Sequence, residues 1–376
     1  MVGAGLMGRE IAYVAAAAGL AVRLRDVNSD ALARAIAHIT SLSERQLERG
    51  KASPGEHLAL TGRVSAAADD GDLSVCDVVI EAVSEVMATK LAVLAAIDRV
   101  LPNGAIIASN TSGLSITELA RATGRPAQTI GMHFFNPARV MPLVEIIRGT
   151  DTSDETLAAT VALTKTFGKT PVVVAECPGF LVNRILCRGL AEAYRAAAET
   201  GAPFSASDAS VVASGPAPMG PFELGDLVGL DTLAHVLDDL TAAYGERFAD
   251  AGLTASCVAD GHLGAKSGRG FYQGKPTPGV PDSLGDAVAS RYYLGAFDEA
   301  CRALEEEVAA LPDIDTAMRL GAGWHSGPLS WADSEGLPVV AERLKQLSEA
   351  VGERFVPRQP LLARIQDERA FAEASA

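Results

Sequence analysis

Gly3-Ala4-Gly5-Leu6-Met7-Gly8 opens an amphipathic run from Leu6 to Ala18 that stops at Gly19, and Ala21-Val22-Arg23-Leu24-Arg25-Asp26 follows it. The first stretch is GxGxxG at the start of a predicted helix. The second reads as a strand ending in an acid. Glycines at those three places let backbone approach a pyrophosphate, and a helix N-terminus supplies positive potential to it. Asp26 stands near the spacing at which an acid takes the 2′-hydroxyl of an adenosine ribose. Gly3, Gly5, Leu6, Met7, Gly8 and Asp26 are therefore candidate dinucleotide contacts, against the plainer reading of a generic tight turn between strand and helix. An acid at position 26 repels a 2′-phosphate and favours NAD over NADP, while Arg25 beside it pulls the other way.

The alternation downstream predicts a doubly wound, Rossmann-like α/β domain. Helical runs are expected over Asp30–Arg49, Glu85–Val100 and Asp151–Gly168, and strands over Asp77–Glu81, Ala105–Ser109 and Thr170–Ala175. Only Met1 and Val2 precede the first glycine, whereas a strand usually runs about five residues. The first strand therefore reads as truncated: the true start lies upstream, the piece comes from a longer chain, or the sheet is damaged.

Two apolar runs carry polar side chains that need an explanation. Gly131-Met132-His133-Phe134-Phe135-Asn136-Pro137 holds a histidine, and Val140 to Ile147 holds a lone carboxylate, Glu145. A Glu in such a run is costly to bury without a partner. His133 is the nearest candidate in sequence, and a His oriented by a buried carboxylate is a poised general base. The alternative is a Glu facing solvent and a His satisfied by a backbone carbonyl. Asn110-Thr111-Ser112-Gly113 follows a strand at its carboxyl end, where ligands bind in such sheets. Ser112 could share a crevice with His133, or simply cap the helix from Ser115 onward.

Pro178-Gly179 ends the alternation, and the rest reads as helical. Arg184, Glu192, Arg195, Asp208, Gly220, Pro221, Asp226 and Gly229 recur as Arg291, Glu299, Arg302, Asp315, Gly327, Pro328, Asp333 and Gly336, each 107 positions on. Such a repeat predicts two pseudo-symmetric all-α domains. The expected boundaries are 1–177, 178–274 and 275–376, with Gly268 to Pro281 as a linker. Asn183 at the domain entrance has Ser290 as its counterpart, so any site role would be private to the first copy; the alternative is that it caps a helix end.

Composition narrows the function class. A net charge of −15 disfavours nucleic acid or anionic membrane as a partner. No apolar run reaches the roughly 18 to 20 residues that span a bilayer. The five cysteines are scattered and never in CxxC spacing, which points to a reducing, cytoplasmic setting and away from a zinc site.

Taken together, the chain resembles the L-3-hydroxyacyl-CoA dehydrogenase family, above all the dehydrogenase part of the bacterial multifunctional fatty-acid oxidation α-subunit. The matching stretches are GAGLMG, Ala108-Ser109-Asn110-Thr111-Ser112, GMHFFNP, PLVEII, Cys177-Pro178-Gly179-Phe180-Leu181-Val182-Asn183-Arg184, Pro218-Met219-Gly220-Pro221-Phe222-Glu223-Leu224 and Lys266-Ser267-Gly268-Arg269-Gly270-Phe271-Tyr272. The resemblance implies NAD as cofactor and oxidation of an L-3-hydroxyacyl-CoA in fatty-acid β-oxidation. It implies His133 as base with Glu145 as its partner, and Ser112 and Asn183 around the reacting hydroxyl. It also implies Glu85, Lys90, Ser112 and Lys266 in the NAD site, Asn136 near the nicotinamide, and Arg49 and Lys51 on coenzyme A phosphates. The second helical copy is expected to stand in for a neighbouring subunit, giving a monomer or weak homodimer. Two other readings remain: a non-catalytic dinucleotide-binding structural protein, and a dehydrogenase of a non-CoA 3-hydroxy acid.

Overall fold

The computed structural model describes residues 1–372 and divides into two compact units, the first Met1–Cys177 and the second beginning at Pro178. In the first unit the order is α1 (Leu6–Ala17), β1 (Val22–Leu24), α2 (Ser29–Glu48), α3 (Pro54–Gly62), β2 (Val64–Ala66), β3 (Val78–Glu81), α4 (Met87–Asp98), β4 (Ile106–Ser109), α5 (Ile116–Ala120), β5 (Thr129–Phe134), β6 (Leu143–Arg148), α6 (Asp154–Thr166) and β7 (Thr170–Ala175). β1 and β2 pair in parallel, and β3 to β7 form a second sheet in chain order.

The short stretch before the first glycine still pairs on both sides. Val2 bridges in parallel to Arg25 on one side and Glu81 on the other. Val2 N–H donates to the Ile80 carbonyl (2.9 Å) and Gly3 N–H to the Arg25 carbonyl (2.8 Å). Arg25 N–H also donates to the Met1 carbonyl (2.9 Å), so Met1, Val2 and Gly3 join the two ladders into one Rossmann-like sheet. Ile11 and Val14 of α1, Ala35 and Ile39 of α2, and residues 157, 161 and 163 of α6 pack with Ile80, Ala108, Met132 and Ile146 into one core.

The sheet is mixed, not parallel throughout. β5 and β6 run antiparallel, and β6 pairs in parallel with β7. The link 135–142 is too short for a parallel crossover, which takes about a dozen residues or more. A tight return is the available geometry, and it sets His133 directly across from Glu145 in the register.

The second unit holds both copies: α7 (Val182–Thr200), α8 (Phe204–Ser214), α9 (Pro221–Val228), α10 (Leu230–Tyr244) and α11 (Leu253–Ala259), then α12 (Ser283–Glu305), α13 (Leu311–Gly321), α14 (Pro328–Glu335), α15 (Leu337–Val351) and α16 (Gln359–Gln366). α7 and α12 cross closely: a Cβ at Gly189 would lie 3.0 Å from the Tyr292 carbonyl oxygen. The expected linker is partly anchored, since Phe271 and Tyr272 N–H groups both donate to Asp226 (2.8 and 2.9 Å). Among the described residues no helix is long and apolar enough to cross a membrane.

Candidate active site

The glycine motif is built as its chemistry requires. A Cβ at Gly3 would meet the Ala82 carbonyl oxygen at 2.5 Å, and one at Gly8 would meet the Gly3 carbonyl oxygen at 1.9 Å. At Gly5 it would meet nothing within 4 Å. The first and third glycines thus close the turn against the sheet, and the second leaves open space at the α1 N-terminus. Beside it lies a cavity of about 550 Å³, with Gly3, Gly5, Asp26, Val83 and Val93 in its wall. Asp26 is fixed there, its carboxylate accepting the Ala4 N–H (2.7 Å) and the Asn28 N–H (2.8 Å). This chain's residues fit NAD: the backbone can meet a pyrophosphate, apolar side chains can flank an adenine, and an acid can take a ribose hydroxyl. Leu6 is exposed, and Met7 is half-buried against the core.

The histidine and the carboxylate meet. His133 Nδ1 lies 2.7 Å from Glu145 Oε2, with the two residues 5% and 0% exposed. A carboxylate accepts and does not donate, so Nδ1 carries a proton, and in the neutral imidazole the lone pair is on Nε2. Glu145 is buried, so the alternative in which it faces solvent does not hold. Phe135 leans on the imidazole, ring centroids 4.6 Å apart. Asn136 is exposed at the start of the following loop.

Asn110, at the carboxyl end of β4, accepts the Phe134 N–H on Oδ1 (2.8 Å). That bond joins the loop carrying Ser112 to the strand carrying His133. Ser112 is not the helix cap; Ser115 caps α5 by accepting the Glu118 N–H. Ser112 N–H instead donates to Glu85 Oε1 (2.7 Å). Lys90 is buried, its ammonium between Glu81 (2.7 Å) and Glu85 (3.2 Å). Lys90 thus holds Glu85, and Glu85 holds the Ser112 loop.

Sequence reasoning missed Glu81 as the hub of this set. It is fully buried and accepts from Val83 N–H, Lys90 Nζ and Ser109 Oγ. The signal was available, for Glu81 ends the apolar run Val78-Val79-Ile80 as Glu145 interrupts its own. Glu10 was also missed. Burial alone would raise its carboxyl, yet hydrogen bonds from Arg139 and His38 hold it below the usual range. Arg139 Nη1 lies 2.8 Å from both Glu10 oxygens, tying the loop after His133 to α1.

The remaining predicted residues lie at the end of α2 and on the second unit. Arg49 and Lys51 are exposed at and just past the end of α2. On the second unit Asn183 lies inside α7, whose cap position is Leu181, so it does not cap the helix. Lys266 Nζ pairs with Asp231 at the start of α10.

Family models match nearly the whole chain. The NAD-binding domain of 3-hydroxyacyl-CoA dehydrogenase covers residues 1–177, and the C-terminal domain of that enzyme matches twice, over 179–274 and 288–376. Fatty acid oxidation complex subunit alpha from Psychrobacter sp. is 35% identical over 95% of the chain, and that from Psychrobacter arcticus 37% over 93%. The chain spans about half the length of these curated relatives, 56% and 53%. Among solved structures, 3-hydroxybutyryl-CoA dehydrogenase from Escherichia coli K12 superposes with a TM-score of 0.90 at 30% identity, covering 98% of both chains. The (S)-3-hydroxybutyryl-CoA dehydrogenase from Ralstonia eutropha gives 0.70 at 40% identity over 72% of this chain and 96% of its own.

Proposed function

Since the chain belongs to the 3-hydroxyacyl-CoA dehydrogenase family and is an NAD-dependent oxidoreductase by its domains, we propose that it oxidises an L-3-hydroxyacyl-CoA to the 3-oxoacyl-CoA, in fatty-acid β-oxidation and in the cytoplasm. The observation that carries this reading is the buried His133–Glu145 pair at 2.7 Å. His133 Nε2 takes the proton of the C3 hydroxyl, and Glu145 stabilises the imidazolium that results. Bound NAD supplies the acceptor for the C3 hydride. Ser112 and Asn183 are assigned to the reacting hydroxyl and Asn136 to the ligand by the resemblance. The same source assigns Glu85, Lys90 and Lys266 to the cofactor, and Arg49 and Lys51 to the coenzyme A phosphates. Lys90 supports that assignment through Glu85 rather than by an exposed ammonium.

The test is acetoacetyl-CoA reduction followed by NADH absorbance. His133→Ala is expected to lower kcat by roughly 10² to 10⁴. Equal turnover by the variant and the unsubstituted chain overturns the assignment of the base. Turnover absent from both, with NAD bound in calorimetry, favours the structural-protein reading.

For assembly, the second copy takes the place of a neighbouring subunit. The support is the exchange of ion pairs between α7 and α12, with Arg184 on Glu299 and Arg291 on Glu192, each at 2.7 Å. Such reciprocity is the pattern of an isologous two-fold contact, here within one chain. Sedimentation is expected to give a monomer or a weak dimer, and a tight dimer joined through residues 184–274 would contradict it.

A further inference from the structure

The adenosine end of the cavity holds two acids, Asp26 and Asp70, and among the described residues of its wall Arg25 is the one cation. From sequence, Arg25 left room for a cofactor bearing a 2′-phosphate. Its placement changes that. Arg25 Nε donates to Asp70 Oδ1 at 2.9 Å, and Nη1 donates to the Asp26 carbonyl. The Arg25 side chain is 17% exposed and that of Asp70 38%.

Asp70 is itself held in place. It begins a short 3-10 turn, Asp70–Val75, entered through Asp69, which accepts the Gly71 N–H at 2.8 Å. Asp72 accepts the Ala68 N–H at 2.7 Å, closing the same turn on its other side. The Asp26 carboxylate is fixed by two backbone N–H groups, as described above. Neither acid needs to move for Arg25 to stay engaged.

A phosphate monoester carries about −1.5 to −2 charges at neutral pH. At this cavity it would meet two carboxylates and a guanidinium whose charge is already matched. Arg is the side chain best suited to bidentate phosphate recognition, but a guanidinium bound to a carboxylate must first break that bond. We propose that Asp70 is a specificity-determining residue for the cofactor: by engaging Arg25 it withholds the counter-charge a 2′-phosphate needs, and so excludes NADP together with Asp26. This inference rests on the NAD reading above.

The experiment is calorimetric titration of the full chain with NAD and with NADP, needing no acyl substrate. Asp70→Ala is expected to raise the ratio of NADP to NAD affinity about tenfold, the scale of one charge-assisted hydrogen bond, with NAD affinity changed less than about threefold. Adding Arg25→Ala is expected to remove the gain. An unchanged ratio in Asp70→Ala, or a gain that survives the loss of Arg25, overturns the proposal. If Asp70→Ala loses NAD binding, Asp70→Asn carries the test. It keeps an oxygen beside Arg25 but removes the charge, with about a threefold rise expected; no rise there is equally decisive against. Failure of the unsubstituted chain to bind NAD would overturn the cofactor reading, and this inference with it.

Discussion

Copy one and copy two of the helical unit share a frame and differ in what hangs on it. At the 107-residue offset Arg184 and Arg291, Glu192 and Glu299, and Arg247 and Arg354 exchange partners across α7 and α12. Arg247 reaches Glu299 at 2.9 Å and Arg354 reaches Glu192 at 2.8 Å. Asn183, in contrast, becomes Ser290, and Asp231, which binds Lys266, becomes Pro338. Repetition therefore tracks the residues that hold one copy to the other, while the residues the family resemblance assigns to ligands are not copied. Glu145 and Glu192 make the same point across the two units. Both are fully buried carboxylates. One faces an imidazole that can give and take a proton; the other faces guanidiniums, which do not titrate near neutral pH.

The symmetry of that frame is where the comparison breaks most easily. Glu192 is met by Arg188 (2.7 Å), Arg291 (2.7 Å) and Arg354 (2.8 Å), whereas Glu299 has Arg184 and Arg247 close by and Arg302 only at 3.7 Å. Removing one member of a buried ion pair strands the other, at a cost of roughly 3 to 5 kcal/mol. Glu192→Gln and Glu299→Gln are both expected to destabilise on that scale in denaturant unfolding, Glu192→Gln by more. A near-neutral result for either would show that the α7–α12 junction does not depend on its charges. Protonation makes the same change without mutation. Burial by itself would raise the Glu192 carboxyl, but Arg188, Arg291 and Arg354 hold it from 4.5 down to about 2. The folded value lies below the unfolded one. The group's contribution, roughly 3 kcal/mol, is therefore full above about pH 4.5 and lost as pH falls toward 2. The unsubstituted chain should lose stability steeply in that window, and Glu192→Gln less steeply.

Much of this was legible in the sequence, for identifiable reasons. The glycine motif, the helix after it and Asp26 lie within one βαβ unit, so local spacing predicted them. His133 and Glu145 were readable because a polar side chain in a buried apolar run demands a partner. The direction of β6 is not in its apolar pattern; the short link 135–142 encodes it. α3 carries its own local signal, a capping box at Ser53 and Glu56 with Pro54 at the first turn, but lies outside the elements that the alternation predicts. Offset arithmetic found Glu192 and Glu299, but not that their ion pairs cross between copies, which depends on how α7 meets α12. The Arg25–Asp70 bond joins residues 45 positions apart, and no local pattern announces it.

The smallest contrast between the copies is a pair of helix caps, and it asks whether a repeated residue does a repeated job. Asp208 accepts the Phe222 and Glu223 N–H groups at 2.9 Å each, at the start of α9. Asp315 accepts the Leu329 and Ser330 N–H groups at 2.9 and 2.8 Å, at the start of α14. Loss of such a cap costs about 1 kcal/mol, up to about 2. The third donor differs. For Asp315 it is Ser330 Oγ from the same helix; for Asp208 it is Tyr272 Oη, from the segment after Lys266. Asp315→Ala is then a local loss of about 1 kcal/mol in denaturant unfolding. Asp208→Ala should cost about 1 kcal/mol more, because a buried hydroxyl loses its acceptor. It should also loosen the segment 264–274, read as faster protease cleavage there. Equal destabilisation with no change in cleavage would mean that Asp226 and the Lys266–Asp231 pair hold that segment without Asp208, and that the two caps are interchangeable after all.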